Sequence, residues 1–143
     1  MKERIERPEI AATLRGRGIT PTHQRIEIAH VLFERGEHMS ADQILDHVNA
    51  LFAETSKATV YNTLKLLHEK KLIRELIVEP GRVLYDPNTA PHHHFYNVVT
   101  GQLTDIPERA ISVTRLPPLP PGTVAEAIEV IVRTRPAPGN VRG

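Results

Sequence analysis

Around Lys71 the hydrophobic period of this chain changes from three-to-four residues to two, which dictates helices first and strands afterwards. Residues 8–17 form a short helix candidate with Ile10 and Leu14 on its apolar side, ended by Gly16 and Gly18. Thr20 is a candidate N-cap and Pro21 a candidate first residue for a second helix, since proline lacks only an N–H that the first turn leaves unused. Ile26, Ile28, Ala29, Leu32 and Phe33 supply that helix with an apolar face, and Gly36 stops it. Ser40 with Gln43 three residues later has the capping-box pattern, ahead of an Ile44, Leu45, Val48, Leu51 stripe. Ser56 opens a fourth helix by the same logic. It turns Val60, Leu64 and Leu67 inward and Lys57, Thr59, Tyr61, Asn62 and Lys65 outward.

Beyond residue 74 the alternation predicts a hairpin, residues 74–78 and 82–85 around a Pro80-Gly81 turn. Residues 86–91 hold two prolines and several turn formers and predict a hinge. A second hairpin is predicted over residues 95–99 and 102–106, around Thr100-Gly101. Residues 127–134 predict a last strand with Ile128, Val130 and Val132 on one face, and residues 135–143 a frayed end. Helices followed by a hairpin is the order of a winged helix-turn-helix. The expected class is therefore α+β: residues 1–85 a winged-helix DNA-binding domain, 86–91 a hinge, and 92–143 a small α/β dimerisation domain. The last piece is small and poor in large apolar side chains, so a second copy is expected to complete its core.

Charge alone identifies no partner. Lys and Arg number 18 against 17 Asp and Glu, a net charge of +1. A DNA-binding reading must rest on where particular cations sit and on a homodimer doubling them. The chain has no cysteine, which excludes disulfides, thiolate zinc sites and thiol redox chemistry. Any metal must be held by imidazole and carboxylate. No apolar run approaches the roughly 20 residues that cross a bilayer. The opening MKERIERPEI has no apolar signal core, so the expected location is the cytoplasm, away from membrane.

The fourth helix has the composition of a recognition helix. Lys57 can reach a phosphate, Thr59 and the Tyr61 ring can meet thymine methyl groups, and Asn62 can pair with adenine, while Ala58 allows close backbone approach. The alternative is a solvated face of an ordinary helix. Among the eight histidines, His23, His30, His47 and His68 lie on helices with no carboxylate partner suggested. His38 lies in the loop before Ser40. His92-His93-His94 is a dense cluster at a strand entry, where alternate residues share a face, so His92 and His94 can hold one ion while His93 points away. Asp86 precedes the cluster and Asp105 lies on the returning strand. Such donors suit Fe(II), Mn(II) or Zn(II) without choosing among them. The plain alternative is a solvent-exposed polar tract.

Ala58-Thr59-Val60-Tyr61, the leucine stripe and Leu72-Ile73 closely resemble the recognition helix of the ferric uptake regulator family, and residues 18–25, ending Thr22-His23-Gln24-Arg25, resemble its entry into the second helix. The resemblance implies that residues 58–62 enter the major groove and that Arg25 meets the DNA backbone. It also implies a regulatory metal site at His38, Asp86, His92, His94 and Asp105. Two departures stand out. Val98-Val99-Thr100-Gly101 occupies the turn where most relatives carry a cysteine pair, so no structural zinc is expected, and His93 replaces a frequent Asp. The histidine triplet, the missing cysteines and the short Leu119-Pro120-Pro121-Gly122 tail resemble the family's iron response regulator branch, which implies haem as a possible ligand of His92, His93 or His94.

The resulting expectation is a metal- or haem-responsive repressor of iron homeostasis that binds palindromic, AT-rich double-stranded DNA as a dimer. A peroxide sensor using Fe or Mn held by His and Asp is the alternative within the same fold. A small non-haem metalloenzyme is a third reading. No general base or substrate-pocket signature accompanies the ligands, so the chain is not expected to be an enzyme.

Overall fold

The computed structural model describes residues 5–36, 38–51, 54–90 and 92–139. It divides into two compact units, residues 1–89 and 90–143. Pro91 of the expected hinge and residues 140–143 of the expected frayed end lie outside the described residues.

In the first unit four helices precede a hairpin: α1 (Arg7–Gly16), α2 (His23–Arg35), α3 (Ala41–Leu51) and α4 (Lys57–Glu69). Their apolar faces meet in one core. Ile10, Leu14, Ile28, Leu32, Ile44, Val48, Val60, Leu64 and Leu67 are each at most 1% exposed, and burying such a side chain stabilises by roughly 1.5–3 kcal/mol. Local side-chain bonds set the helix ends. Ser40 N–H donates to Gln43 Oε1 at 2.9 Å and Gln43 N–H to Ser40 Oγ at 3.1 Å, the reciprocal capping box expected of them. Thr59 N–H donates to Ser56 Oγ at 3.1 Å and caps α4. Gly36 closes α2 at a φ of 60°, where a Cβ is penalised.

Two expectations for these helices are corrected. The N-cap of α2 is Thr22, not Thr20, and its Oγ1 accepts from Arg25 N–H at 3.3 Å. Thr20 and Pro21 instead make a tight turn in which Thr22 N–H donates to the Thr20 carbonyl at 2.9 Å. Both threonines satisfy the cap preference, and the turn through Pro21 selects the later one. Leu51 does not join the buried stripe of α3. It is that helix's last residue and is 60% exposed.

The hairpin follows as β1 (Arg74–Glu79) and β2 (Arg82–Asp86), antiparallel with Leu76 opposite Leu84. Gly81, at φ 77°, makes the turn between them. Met39, in the loop between α2 and α3, pairs with Tyr85 as an isolated antiparallel bridge, exchanging N–H to carbonyl bonds of 3.0 and 2.8 Å. That bridge ties the α2–α3 loop to the hairpin.

The second unit is a three-stranded sheet in the order β4-β3-β5, formed by β3 (His92–Asn97), β4 (Leu103–Pro107) and β5 (Ile131–Thr134). β3 is central, antiparallel to β4 and parallel to β5. A single 3-10 turn (Glu108–Ala110) and a Pro-rich segment connect β4 to β5. The last strand is shorter than expected. Only residues 131–134 pair, so of Ile128, Val130 and Val132, expected on one strand face, Val132 alone lies on the strand. Among the described residues no helix is long and apolar enough to cross a membrane.

Candidate metal centre and nucleic-acid interface

The Met39–Tyr85 bridge places two candidate ligands together. In an antiparallel pair the residue before one partner faces the residue after the other, so His38 meets Asp86. His38 Nε2 lies 2.8 Å from Asp86 Oδ2, with the side chains 12% and 5% exposed. The other carboxylate oxygen, Oδ1, accepts Asn88 N–H at 2.8 Å, which fixes the carboxylate plane.

The second unit builds its own set by strand register. His94 lies opposite Asp105 across β3 and β4, and His92, two residues back on the same face, lies diagonal to it. Both Nε2 atoms approach one oxygen, Asp105 Oδ1, at 3.4 Å from His92 and 3.5 Å from His94. The two rings stand edge to face, centroids 4.3 Å apart. These separations exceed ordinary hydrogen bonds and equal the spacing of ligand atoms around a shared ion. Donors at about 2.0–2.2 Å from a tetrahedral metal are about 3.3–3.6 Å from each other. His92 Nδ1 lies 2.7 Å from the Ala90 carbonyl, which can only accept. The neutral ring therefore carries its proton on Nδ1 and offers a lone pair at Nε2, the arrangement usual for metal-ligating histidines. These donors fit a divalent cation of the Fe, Mn or Zn type.

The reading of the triplet as an exposed polar tract is overturned. His92, His93 and His94 are 7%, 5% and 2% exposed. His93 does lie on the opposite sheet face, as alternation requires, but it is not idle there. Its Nδ1 accepts the Val130 N–H at 2.9 Å and holds the chain at the mouth of β5. Nothing in the sequence spacing announces this partner, which is 37 residues away.

The histidines on α2 also need correction. His23 Nε2 lies 3.9 Å from Glu27 and His30 Nε2 3.1 Å from Glu34. Both pairs are four residues apart on one helix face, a spacing that was legible in advance. Glu27 itself is 1% exposed and takes two bonds from the Arg7 guanidinium, at 2.6 and 3.0 Å. The Arg7 hydrogen bonds hold its carboxyl below the usual carboxylate range despite burial, which acts the other way.

On α4, Val60, Leu64 and Leu67 pack inward while Lys57, Ala58, Tyr61, Asn62 and Lys65 are exposed. Thr59 is half-buried and its Oγ1 lies 2.9 Å from Ser56 Oγ, so its hydroxyl serves the helix cap. Arg25 Nη1 donates to the Thr20 carbonyl at 3.0 Å. Lys57 Nζ is 3.3 Å from Asp42 Oδ1. Asp42 has no signal in the sequence as a partner, because only the packing of α3 against α4 brings it near.

Residues 16–116 match the family model described as the ferric uptake regulator family. The peroxide-responsive repressor PerR of Staphylococcus epidermidis is 31% identical over 100 residues, covering 70% of this chain and 67% of that protein. Among solved structures, the Vibrio cholerae ferric uptake regulator superposes with a TM-score of 0.68 at 17% identity, over 87% of this chain and 98% of that one. The Helicobacter pylori ferric uptake regulator, with three functional metal-binding sites, superposes with a TM-score of 0.66 at 17% identity, over 94% and 95%. Winged-helix order, ligand chemistry and the match over most of the chain converge: the chain belongs to the ferric uptake regulator family, whose members are transcriptional regulators rather than enzymes, bind DNA and act as dimers.

Proposed function

We propose that this chain is a metal-responsive repressor of iron homeostasis that binds palindromic, AT-rich operator DNA as a homodimer. The observation that carries the reading is the pair of His92 and His94 Nε2 atoms, which approach one Asp105 oxygen at 3.4 and 3.5 Å. With His38 and Asp86 we read these as ligands of a single Fe(II), Mn(II) or Zn(II) ion. Ligands drawn from both sides of residues 86–91 would couple ion occupancy to the pose of the winged helix, and hence to the spacing of two recognition helices on half-sites about one helical turn apart. Arg25, Lys57, Ala58, Thr59, Tyr61 and Asn62 are the residues assigned to DNA. The exposed apolar side chains of the second unit, Phe95 at 43%, Leu116 at 52% and Val124 at 89%, support a partner copy covering them.

The triplet and the absence of cysteine favour the iron response regulator branch. Haem gains less support than a bare ion. The three imidazoles are at most 7% exposed, which leaves little space for a macrocycle to reach a ring nitrogen, and His93 Nδ1 is already engaged. Peroxide sensing is the second reading, favoured by the 31% identity to a peroxide-responsive repressor. In that case iron-loaded protein treated with peroxide gains one oxygen on His38 or His92 by mass spectrometry.

Metal analysis of Mn(II)-loaded protein, paired with duplex binding at several salt concentrations, tests the main reading. One ion per chain, lost in the His92→Ala, Asp105→Ala double variant together with the metal effect on DNA affinity, is the expected outcome. A wild-type chain that takes up no divalent ion, or a double variant that keeps it, overturns the reading.

A further inference from the structure

Lys57 opens α4 and its ammonium is held from two sides. Nζ is 3.3 Å from Asp42 Oδ1 and 5.8 Å from the centroid of the Tyr61 ring, inside the ~6 Å reach of a cation–π contact. Asp42 and Lys57 side chains are 71% and 60% exposed, and Tyr61 is 44% exposed. Carboxylate, ammonium and ring thus form a surface chain running from α3 onto the outward face of α4. Asp42 and Tyr61 also line one cleft of about 370 Å³, whose other wall is the hairpin turn with Gly81 and Arg82. An exposed ion pair contributes little to folding, so its consequence is to be sought in what the helix face meets.

We propose that Asp42 is a specificity-determining positioning residue that acts through Lys57, an inference that rests on the DNA-binding reading above. Affinity for random duplex grows with the number of phosphates that free cations neutralise. A lysine paired with a carboxylate withholds one cation per protomer from that sequence-independent attraction. The same pairing keeps the ammonium over Tyr61 and orients the ring for a thymine methyl group. Both effects raise the ratio of operator binding to random binding. Asp42 therefore lowers total affinity and raises discrimination.

Asp42→Asn tests this in the full-length protein. Binding to random duplex is expected to tighten, and its log–log salt dependence to steepen by about 0.9 per protomer bound, the increment for one additional phosphate contact. In a Lys57→Gln background the same substitution is expected to leave the slope unchanged. A slope that does not move in Asp42→Asn, or that moves equally in both backgrounds, overturns the proposal, since Asp42 would then act by its own charge or not at all. A DNA-free measurement separates this from the DNA-binding reading itself. The Tyr61 ring resonances are expected to shift in Asp42→Asn and in Lys57→Gln, with no further shift in the double variant. An unmoved ring overturns the carboxylate–ammonium–ring chain. A ring that moves while the wild type binds no duplex sinks the DNA reading instead.

Discussion

Tyr61 and Asn62 are exposed on the side of α4 away from Val60 and Leu64. Truncating either opens no cavity, so Tyr61→Ala and Asn62→Ala should leave stability within about 0.5 kcal/mol of wild type by urea unfolding. A side-chain contact to a base edge is worth about 1–3 kcal/mol of discrimination. Operator preference over random duplex should therefore fall about 5- to 150-fold per half-site in each variant by fluorescence anisotropy, and an unchanged preference would remove these residues from the reading face. His93 behaves differently because its ring is a structural acceptor. His93→Ala leaves the half-buried Val130 N–H without that bond, at a cost of about 1–3 kcal/mol. Faster amide exchange over residues 130–134 with unaltered metal stoichiometry is expected, whereas loss of the ion would make His93 a ligand.

Between elements, the clearest single determinant is the Arg7–Glu27 pair that fastens α1 to α2. The Arg7 bonds lower the Glu27 pKa from its ordinary 4.5. Its contribution is thus fully present above pH 4.5 and is lost as the pH falls through the lower, folded value. Glu27→Gln should cost about 1–2 kcal/mol at pH 7, and the gap to wild type should close in acid, which urea unfolding at a series of pH values checks. A gap independent of pH would mean that shape rather than charge fastens the two helices. The chain displays some of these elements openly. Capping at Ser40 and Ser56, the stripe of α4 and the Gly81 turn were legible because each depends on residues within one or two turns. His92, His94, Asp86 and Asp105 were singled out by residue type and strand alternation, while the full set with His38 came from the family resemblance. What could not be read was decided by distant partners: Met39 against Tyr85, His93 against Val130, Lys57 against Asp42. The start of α2 failed for a local reason, since Thr20 and Thr22 compete for one cap.

At the scale of the whole molecule, the question is whether one ion takes ligands from both units or whether His92, His94 and Asp105 suffice. An ion bound only to the folded chain stabilises it by mass action, about 2.7 kcal/mol at a hundredfold excess over its Kd. Where that stabilisation appears depends on which backbone the ligands anchor. If His38 and Asp86 ligate, Mn(II) must slow amide exchange at Met39 and Tyr85, whose mutual bonds carry those two residues, as well as along β3 and β4. His38→Ala should then abolish protection at Met39 and Tyr85 while leaving a weaker, ion-dependent protection at residues 92–96. His92→Ala should weaken both, because it removes one of the two imidazoles that share a single Asp105 oxygen and leaves the ion to ligands on either side. Protection confined to the second sheet in the wild type would show a site that closes without the helices. Metal could then not govern the pose of α4 through these ligands, and the regulatory reading would have to find another route from ion to DNA.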